Sequence, residues 1–261
     1  MRERELNAEE KNLIRLEMLD EVDAFCRSHG IRYSLACGTL LGAIRHKGYI
    51  PWDDDMDIMM PRPDLERFAK EFVSDNVRYI DINNEKFFSF AFSRLVDRHS
   101  YSKPGKALVG PGLEIDVYPV HGIPSIKEDI DAFFMKCKFW LKIRLWVMKW
   151  RARMVKRFPV KSVPFFRFIQ RKYYNLVFSN PYGTNHYFMV HSGEVDWAHT
   201  YDFDLFETMT DVDFEGHRYM AIARYDEYLK QRYGNYMELP PIEQRVPYHG
   251  GKYYHLESPL K

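Results

Sequence analysis

Residues 38–60, GTLLGAIRHKGYIPWDDDMDIMM, hold a glycine–hydroxyl pair, a basic cluster and four aspartates in one short segment, and their order decides the fold. The preceding IRYSLAC, residues 31–37, alternates apolar and polar side chains up to Gly38, which predicts a strand. Leu40 to His46 predicts a short helix, and Gly48 and Pro51 break the chain after it. In DDMDIMM, residues 54–60, Met56, Ile58 and Met60 alternate with Asp55, Asp57 and Met59. A second strand there would carry Asp55 and Asp57 on one face, about 7 Å apart. Two carboxylates so placed repel unless a hard cation neutralises them. A solvated acidic loop does not continue into MDIMM. A calcium loop, suggested by Asp53, Asp55 and Asp57, needs glycine where Ile58 stands.

Outward from this segment, Leu13, Leu16, Leu19, Val22 and Phe25 recur near helical spacing between Asn7 and His29, with Gly30 as the stop. RPDLERFAKEFVS, from Arg62, predicts another helix, because Leu65, Phe68, Ala69 and Phe72 share a face. FFSFAFSRLVD and LEIDVYPV predict further strands, and Lys103 to Gly112, rich in glycine and proline, predicts a loop. Asp116 is flanked by Ile115 and Val117, which would face the opposite side, so a neighbouring strand can supply a third carboxylate. Gly38-Thr39, closing a strand and opening a helix, is a place where backbone N–H groups and a hydroxyl hold phosphate oxygens. Arg45 and Lys47, between this pair and the aspartates, add positive charge for phosphates. Together these groups describe a metal–phosphate site. Helix and strand mix throughout without repeats, giving an α+β class.

The whole chain sets the bounds. It has 261 residues, 46% of them apolar, enough for a sizeable core. The formal charge is only +1, so an electrostatic partner must be met by a local patch. The neutral total and the lack of a recognised module argue against nucleic acid. Cys26, Cys37 and Cys137 are an odd number without CxxC spacing, which points away from disulfides and zinc and fits a reducing cytoplasm. Cys37 reads as a small strand residue. His186, His191 and His199 match no compact zinc spacing. The charged N-terminus is not a signal peptide, and no apolar run is long enough to span a membrane.

The neutral total hides one block. From 132 to 193 there is no acidic residue, while Lys136, Lys138, Lys142, Arg144, Lys149, Arg151, Arg153, Lys156, Arg157, Lys161, Arg167, Arg171 and Lys172 are interleaved with apolar side chains. This predicts one or two helices broken near Pro159 and Pro164. The 132–172 block is either a solvated face over a core stripe or an attachment to anionic lipid, and the complete absence of acids favours lipid.

The order strand, G-[ST], helix, D-x-D strand, later h-D-h strand resembles the nucleotidyltransferase-fold superfamily. Within it, GTLLGAIRHKGYIPWDDDMDIMM resembles the LicD family. SRLVDRHSY, EIDVYPVHG and FEGHRYMAIARYDEYLKQRYGNYMELPP are similar to further blocks of that family, so the resemblance runs from about residue 8 to the C-terminus. It implies a mixed β-sheet core flanked by helices and transfer of a phospho-alcohol, most typically phosphocholine, from a CDP-linked donor to a cell-surface glycan. The glycan would be of lipopolysaccharide or teichoic-acid type, and lipid-linked where it is built on a carrier. Asp55, Asp57 and Asp116 would then bind Mg²⁺, or Mn²⁺, with Asp53 in support. Gly38, Thr39, Arg45 and Lys47 would serve the donor phosphates, and Asp116 would accept the acceptor's proton.

Departures from the family pattern stand at His121, Asn235 and Ala223-Arg224, and bear on the identity of donor and acceptor. A quaternary ammonium donor would want an aromatic cage, for which Trp52, Tyr101, Tyr118, Trp197 and Tyr248 are available. The expected organisation is a catalytic core over 1–125, then a helical basic region and C-terminal segment over 126–261 completing the cleft. The expected location is cytoplasmic, peripheral on the inner face of the cell membrane. The alternatives are a nucleotidyltransferase releasing pyrophosphate, or a non-catalytic membrane-associated scaffold on the same fold.

Overall fold

The computed structural model of the protein describes residues 4–256 apart from 86, 87, 89, 106, 107, 155–162, 184, 194, 248 and 249. Its first helix, α1 (Ala8–His29), is fixed at both ends by local chemistry. The Asn7 side chain accepts from the Glu10 N–H while the Glu10 carboxylate accepts from the Asn7 N–H, and Gly30, at φ 60°, takes the left-handed turn that stops the helix. Met18, Leu19, Val22 and Cys26 form its buried stripe.

Then follow β1 (Ser34–Leu35), α2 (Cys37–Arg45), β2 (Asp57–Pro61), α3 (Arg62–Glu71), β3 (Val77–Ile80), β4 (Ser93–Asp97), β5 (Ser100–Gly105), β6 (Leu108–Gly110) and β7 (Glu114–Gly122). Two long helices, α4 (Lys127–Met154) and α5 (Val163–Val177), lead to β8 (Tyr187–Val190) and β9 (Thr200–Asp202). The hairpin β10 (Met209–Phe214) and β11 (His217–Ile222), helix α6 (Tyr225–Tyr233) and β12 (Tyr253–His255) complete the order.

The main sheet runs β1-β2-β7-β4-β3, with β8 on β7 and β9 on β8. β2 and β7 are parallel and the other pairs antiparallel, so this is a mixed sheet in an α+β fold, as the sequence predicts. Ile58, Leu95, Ile115 and Val117 are completely buried within it. The largest core cluster reaches from α1 through the sheet to Phe188, Tyr201, Val212, Phe214, Tyr228 and Tyr236, so residues far apart in the chain share one core.

Several expectations are corrected. The strand expected over 31–37 is only Ser34–Leu35, and α2 begins at Cys37, so Gly38 and Thr39 lie inside its first turn. Cys37 is therefore a helix residue, at a left-handed φ of 48°. β2 begins at Asp57, which leaves Asp55 ahead of the strand. Lys103 to Gly112 is not simply a loop: parts of it are β5 and β6, which with β12 make a three-stranded sheet. Proline and glycine there mark register shifts between β5 and β6, not the absence of pairing. β3 and the β10–β11 hairpin carried no earlier expectation. Lys156, Arg157, Pro159 and Lys161 lie outside the described residues.

Gly42 lets α2 lie against the following turn. A Cβ there would meet the Gly48 carbonyl oxygen at 2.5 Å, a backbone atom with little freedom because the Gly48 N–H also donates to Gly42. Gly42→Ala is expected to lower the unfolding free energy by about 1–3 kcal/mol, the usual cost of overpacking, as a reduced urea midpoint.

Candidate active-site cleft

The register of three strands builds the acidic centre. Asp57 on β2 pairs with Asp116 on β7, and Asp116 pairs with Arg94 on β4, so the three side chains stand in a row on one face of the sheet. Asp57 is almost fully buried. Its N–H donates to the Thr39 hydroxyl oxygen at 2.8 Å, and the Tyr118 hydroxyl donates to its Oδ1 at 3.0 Å. Arg94 holds Asp116, with Nε 2.6 Å from Oδ1, and lies over the Phe90 ring at 4.1 Å.

Burial and crowding make these carboxylates reluctant anions. Asp57 is raised well above the ordinary carboxylate value, first by burial and then by Asp55 and Asp116. Asp53 is pushed up to about 7 by burial and Asp55. Burial also pushes Asp116 up to about 6, against the lowering pull of Arg94. Among the described residues no group of three or more His, Cys, Asp or Glu side chains is placed to hold a metal ion. The donor set nonetheless suits a hard cation: carboxylate oxygens, buried, side by side and destabilised by one another's charge.

Asp57, at one end of the row, lines a cleft of about 920 Å³. Cys37, Gly38, Leu41 and Arg45 of α2 form one wall, Trp52, Asp53, Asp55 and Asp57 with Tyr118 the floor, and Arg232 through Val246 the facing wall. Charged tethers hold that facing wall in place. The Arg45 Nη1 donates to the Tyr236 and Glu238 carbonyls at 2.7 and 3.1 Å. Asp54 accepts from the Gly250 N–H at 2.6 Å, and the Arg245 guanidinium lies 5.3 Å from the Trp52 ring centre.

Of the residues expected to act, Asp55, Asp57, Gly38 and Arg45 line the cleft, and Asp116 stands beside Asp57. Thr39 is buried and bonded to the Asp57 backbone. A side chain at Gly38 would displace the Asp53 carboxylate, which packs against it. Lys47 lies on an exposed left-handed turn, its carbonyl accepting from Glu215, and does not line the cleft. Cys37 lines it with a thiol that burial pushes up to about 12, which leaves it protonated and not a nucleophile. Of the aromatic candidates, Trp52 and Tyr118 line the cleft. Tyr101 packs on Tyr254, Trp197 lines a separate hollow, and Tyr248 lies outside the described residues.

Two charged residues were missed. Arg94 sits in SRLVD, where a cation within a strand was its only signal. Arg232, near the end of α6, lines the cleft with its Nη1 buried and without a hydrogen-bond partner, while its Nε donates to the Tyr233 hydroxyl at 3.3 Å. Among the described ion pairs no carboxylate meets it. A guanidinium so placed is set to receive an anion from outside the chain.

A mixed sheet carrying an aspartate row at the mouth of a cleft is the frame of a nucleotidyltransferase-type domain, and the comparisons agree. The family model described as "LicD/FKTN/FKRP, nucleotidyltransferase domain" matches residues 30–171, and the chain belongs to that family. The lipopolysaccharide cholinephosphotransferase LicD of Haemophilus influenzae is 28% identical over 259 residues, 94% of this chain and 97% of that protein. An uncharacterised protein of Rickettsia prowazekii is 38% identical over 115 residues, 42% of each chain. Another, of Rickettsia typhi, is 29% identical over 96 residues, 37% of this chain and 31% of its own.

Two outcomes follow from the charge layout. Asp53 and Asp116 have folded values near 7 and 6, above the roughly 3.9 of an unfolded aspartate. Their contribution to stability is full below that lower value and lost as pH rises through 6 to 7. The chelated protein is expected to lose urea resistance between pH 5 and 8, Mg²⁺ should restore it at pH 8, and Asp57→Asn should flatten both effects. In addition, Arg232→Met should leave the melting temperature unchanged or raised, since it removes a buried cation without a counter-charge. The same variant should weaken binding of inorganic pyrophosphate, measured calorimetrically, about 10- to 100-fold, the scale of a lost charge-assisted hydrogen bond.

Proposed function

We propose that the chain is a transferase that moves phosphocholine, or a similar phospho-alcohol, from a CDP-linked donor to a sugar hydroxyl of a lipopolysaccharide-type glycan, releasing CMP. One observation carries this reading: a single cleft holds crowded carboxylates on its floor and, on its wall, a guanidinium with one buried nitrogen that makes no hydrogen bond. A diphosphate accompanied by a divalent cation satisfies both at once. The name of the Haemophilus influenzae relative, aligned over nearly the whole chain, supports phosphocholine and lipopolysaccharide as the two ends of the transfer.

Asp55, Asp57 and Asp116 would hold Mg²⁺, or Mn²⁺, which when bound would supply charge neutralisation at the diphosphate and lower the pKa of a bound hydroxyl. The rest of the chemistry belongs to the chain. Arg232, with Arg45 on the opposite wall, draws the diphosphate in and balances charge gathering on the departing CMP. Gly38 leaves room for the Asp53 carboxylate at the first turn of α2, and Thr39 fixes the backbone of Asp57. Tyr118 holds Asp57 by one oxygen, leaving the other to the cleft. The acceptor oxygen bonds to the distal phosphorus as that phosphorus parts from the CMP oxygen. The hydroxyl proton passes to a carboxylate oxygen of the row, for which we assign Asp116. Arg94 keeps that carboxylate in place.

The test is to incubate the purified protein and Mg²⁺ with a panel of CDP-alcohols and an acceptor glycan, and to measure CMP. CDP-choline or a close analogue is expected to yield CMP at a rate at least 100-fold above the Asp57→Asn variant, as expected where a charge-stabilising group is removed. No CMP from any donor above that control would overturn the reading. Consumption of CTP with pyrophosphate release would replace it with nucleotidyl transfer.

A further inference from the structure

Helix α4 is apolar on two sides. Its inward side is ordinary core: Ile130, Phe133, Phe134 and Cys137 pack with Ile123, Tyr173, Val177 and Met189, and further along Val147 meets Phe166 and Ile169 of α5. Its outward side carries Met135, Phe139, Trp146 and Trp150, exposed by 67%, 60%, 65% and 37%. At about 100° per residue these four fall within roughly 60° of arc, nearly opposite the core stripe. They form an outward ridge, and among the described residues none of the four belongs to a buried core cluster. Phe165 and Phe168, on α5, are likewise half exposed.

Charge decides what covers the ridge. Lys138, Lys142 and Lys149 lie along its flank on the same helix and are exposed, as are Arg171 and Lys172 of α5. No acidic residue occurs from 132 to 193 to offset them. Arg144 does not belong to this surface: it is buried, donates from Nε to Gln170 Oε1 at 2.6 Å and lies 5.3 Å from the Tyr173 ring centre. A second copy of the chain would set lysine row against lysine row, which like-charge repulsion opposes. A bilayer bearing anionic headgroups meets both halves of the pattern, since the aromatic side chains enter the headgroup boundary while the lysines stay at its charged surface. Among the described residues no helix is long and apolar enough to cross a membrane, so the contact is one that lies on the surface.

We infer that the outward face of α4, with the exposed aromatic residues of α5, is a docking surface for an anionic lipid bilayer. The inference is independent of the transferase reading, because it rests on residues outside the cleft and its test uses no donor.

The test is flotation of the full chain with vesicles of phosphatidylcholine containing about one-third phosphatidylglycerol, against phosphatidylcholine alone, at ~50 and ~500 mM salt. Binding is expected only with the anionic lipid at low salt. Lys138→Ala/Lys142→Ala/Lys149→Ala should weaken it about 100-fold, at roughly five-fold for each cation lost. Phe139→Ser/Trp146→Ser should weaken it at least ten-fold with an unchanged circular dichroism melt, because these side chains are already in solvent. Brominated acyl chains should quench tryptophan emission of the wild type, and less so that of Trp146→Phe, which separates lipid entry from capture by a soluble polyanion. Equal flotation with both lipids, no flotation at low salt, or a dimer by sedimentation that Phe139→Ser/Trp146→Ser dissolves would each overturn the inference.

Discussion

The parallel pairing of β2 with β7 is the constraint on which the rest of the site depends. It sets Asp57 beside Asp116 and, through β7 and β4, Asp116 beside Arg94. A slip of one residue would turn Asp57 toward the core and bring an apolar neighbour to the cleft. The register is held from both sides. Ile58, Ile115 and Val117 bury completely on the core face, while Thr39 and Tyr118 tie Asp57 by its N–H and its carboxylate. Apolar burial thus fixes the position of a charge pair that would otherwise push itself apart.

That repulsion is a cost the fold carries. Asp57 is buried beside two other carboxylates, and the cation next along the row, Arg94, is already engaged with Asp116. Across the cleft the reverse holds, with a buried nitrogen of Arg232 lacking a partner. Each defect alone would be removed by a hydrophobic substitution at little loss of stability. Kept together in one cleft, they fit the proposed ligand, anionic toward Arg232 and accompanied by a cation at the aspartates.

Much of this was legible in local sequence. The D-x-D pattern running into MDIMM located the strand that carries Asp57, and Asp116 between two β-branched residues located its neighbour. Asn7, Glu10 and Gly30 marked the ends of α1. Local pattern placed Asp55 on the strand, although pairing begins only at Asp57, because alternation continues past the point where a partner strand is available. Lys47 looked like a phosphate ligand from its neighbours, yet the turn that follows α2 sends it to solvent. The facing wall was out of reach for a different reason. Arg232 joins Cys37 only because β10, β11 and α6 pack back on α2 and the sheet, and no periodicity within α6 records that.

The long helix α4 shows the same limit in reverse. In the sequence its apolar residues run almost all the way round, interleaved with basic ones, which left a solvated face over a core stripe and a lipid contact as alternatives. Only the packing separates the two populations: Phe133, Phe134, Cys137 and Val147 join buried core clusters, while Met135, Phe139 and Trp146 are more than half exposed. The basic residues divide likewise, Arg144 turning inward to Gln170 and Tyr173 while the lysines stay out. A helix needing only one apolar face for its own fold, yet carrying a second with cations beside it, has a surface composition that folding does not require. A partner outside the chain would account for that second face, and the absence of acids from 132 to 193 fits one that is negatively charged.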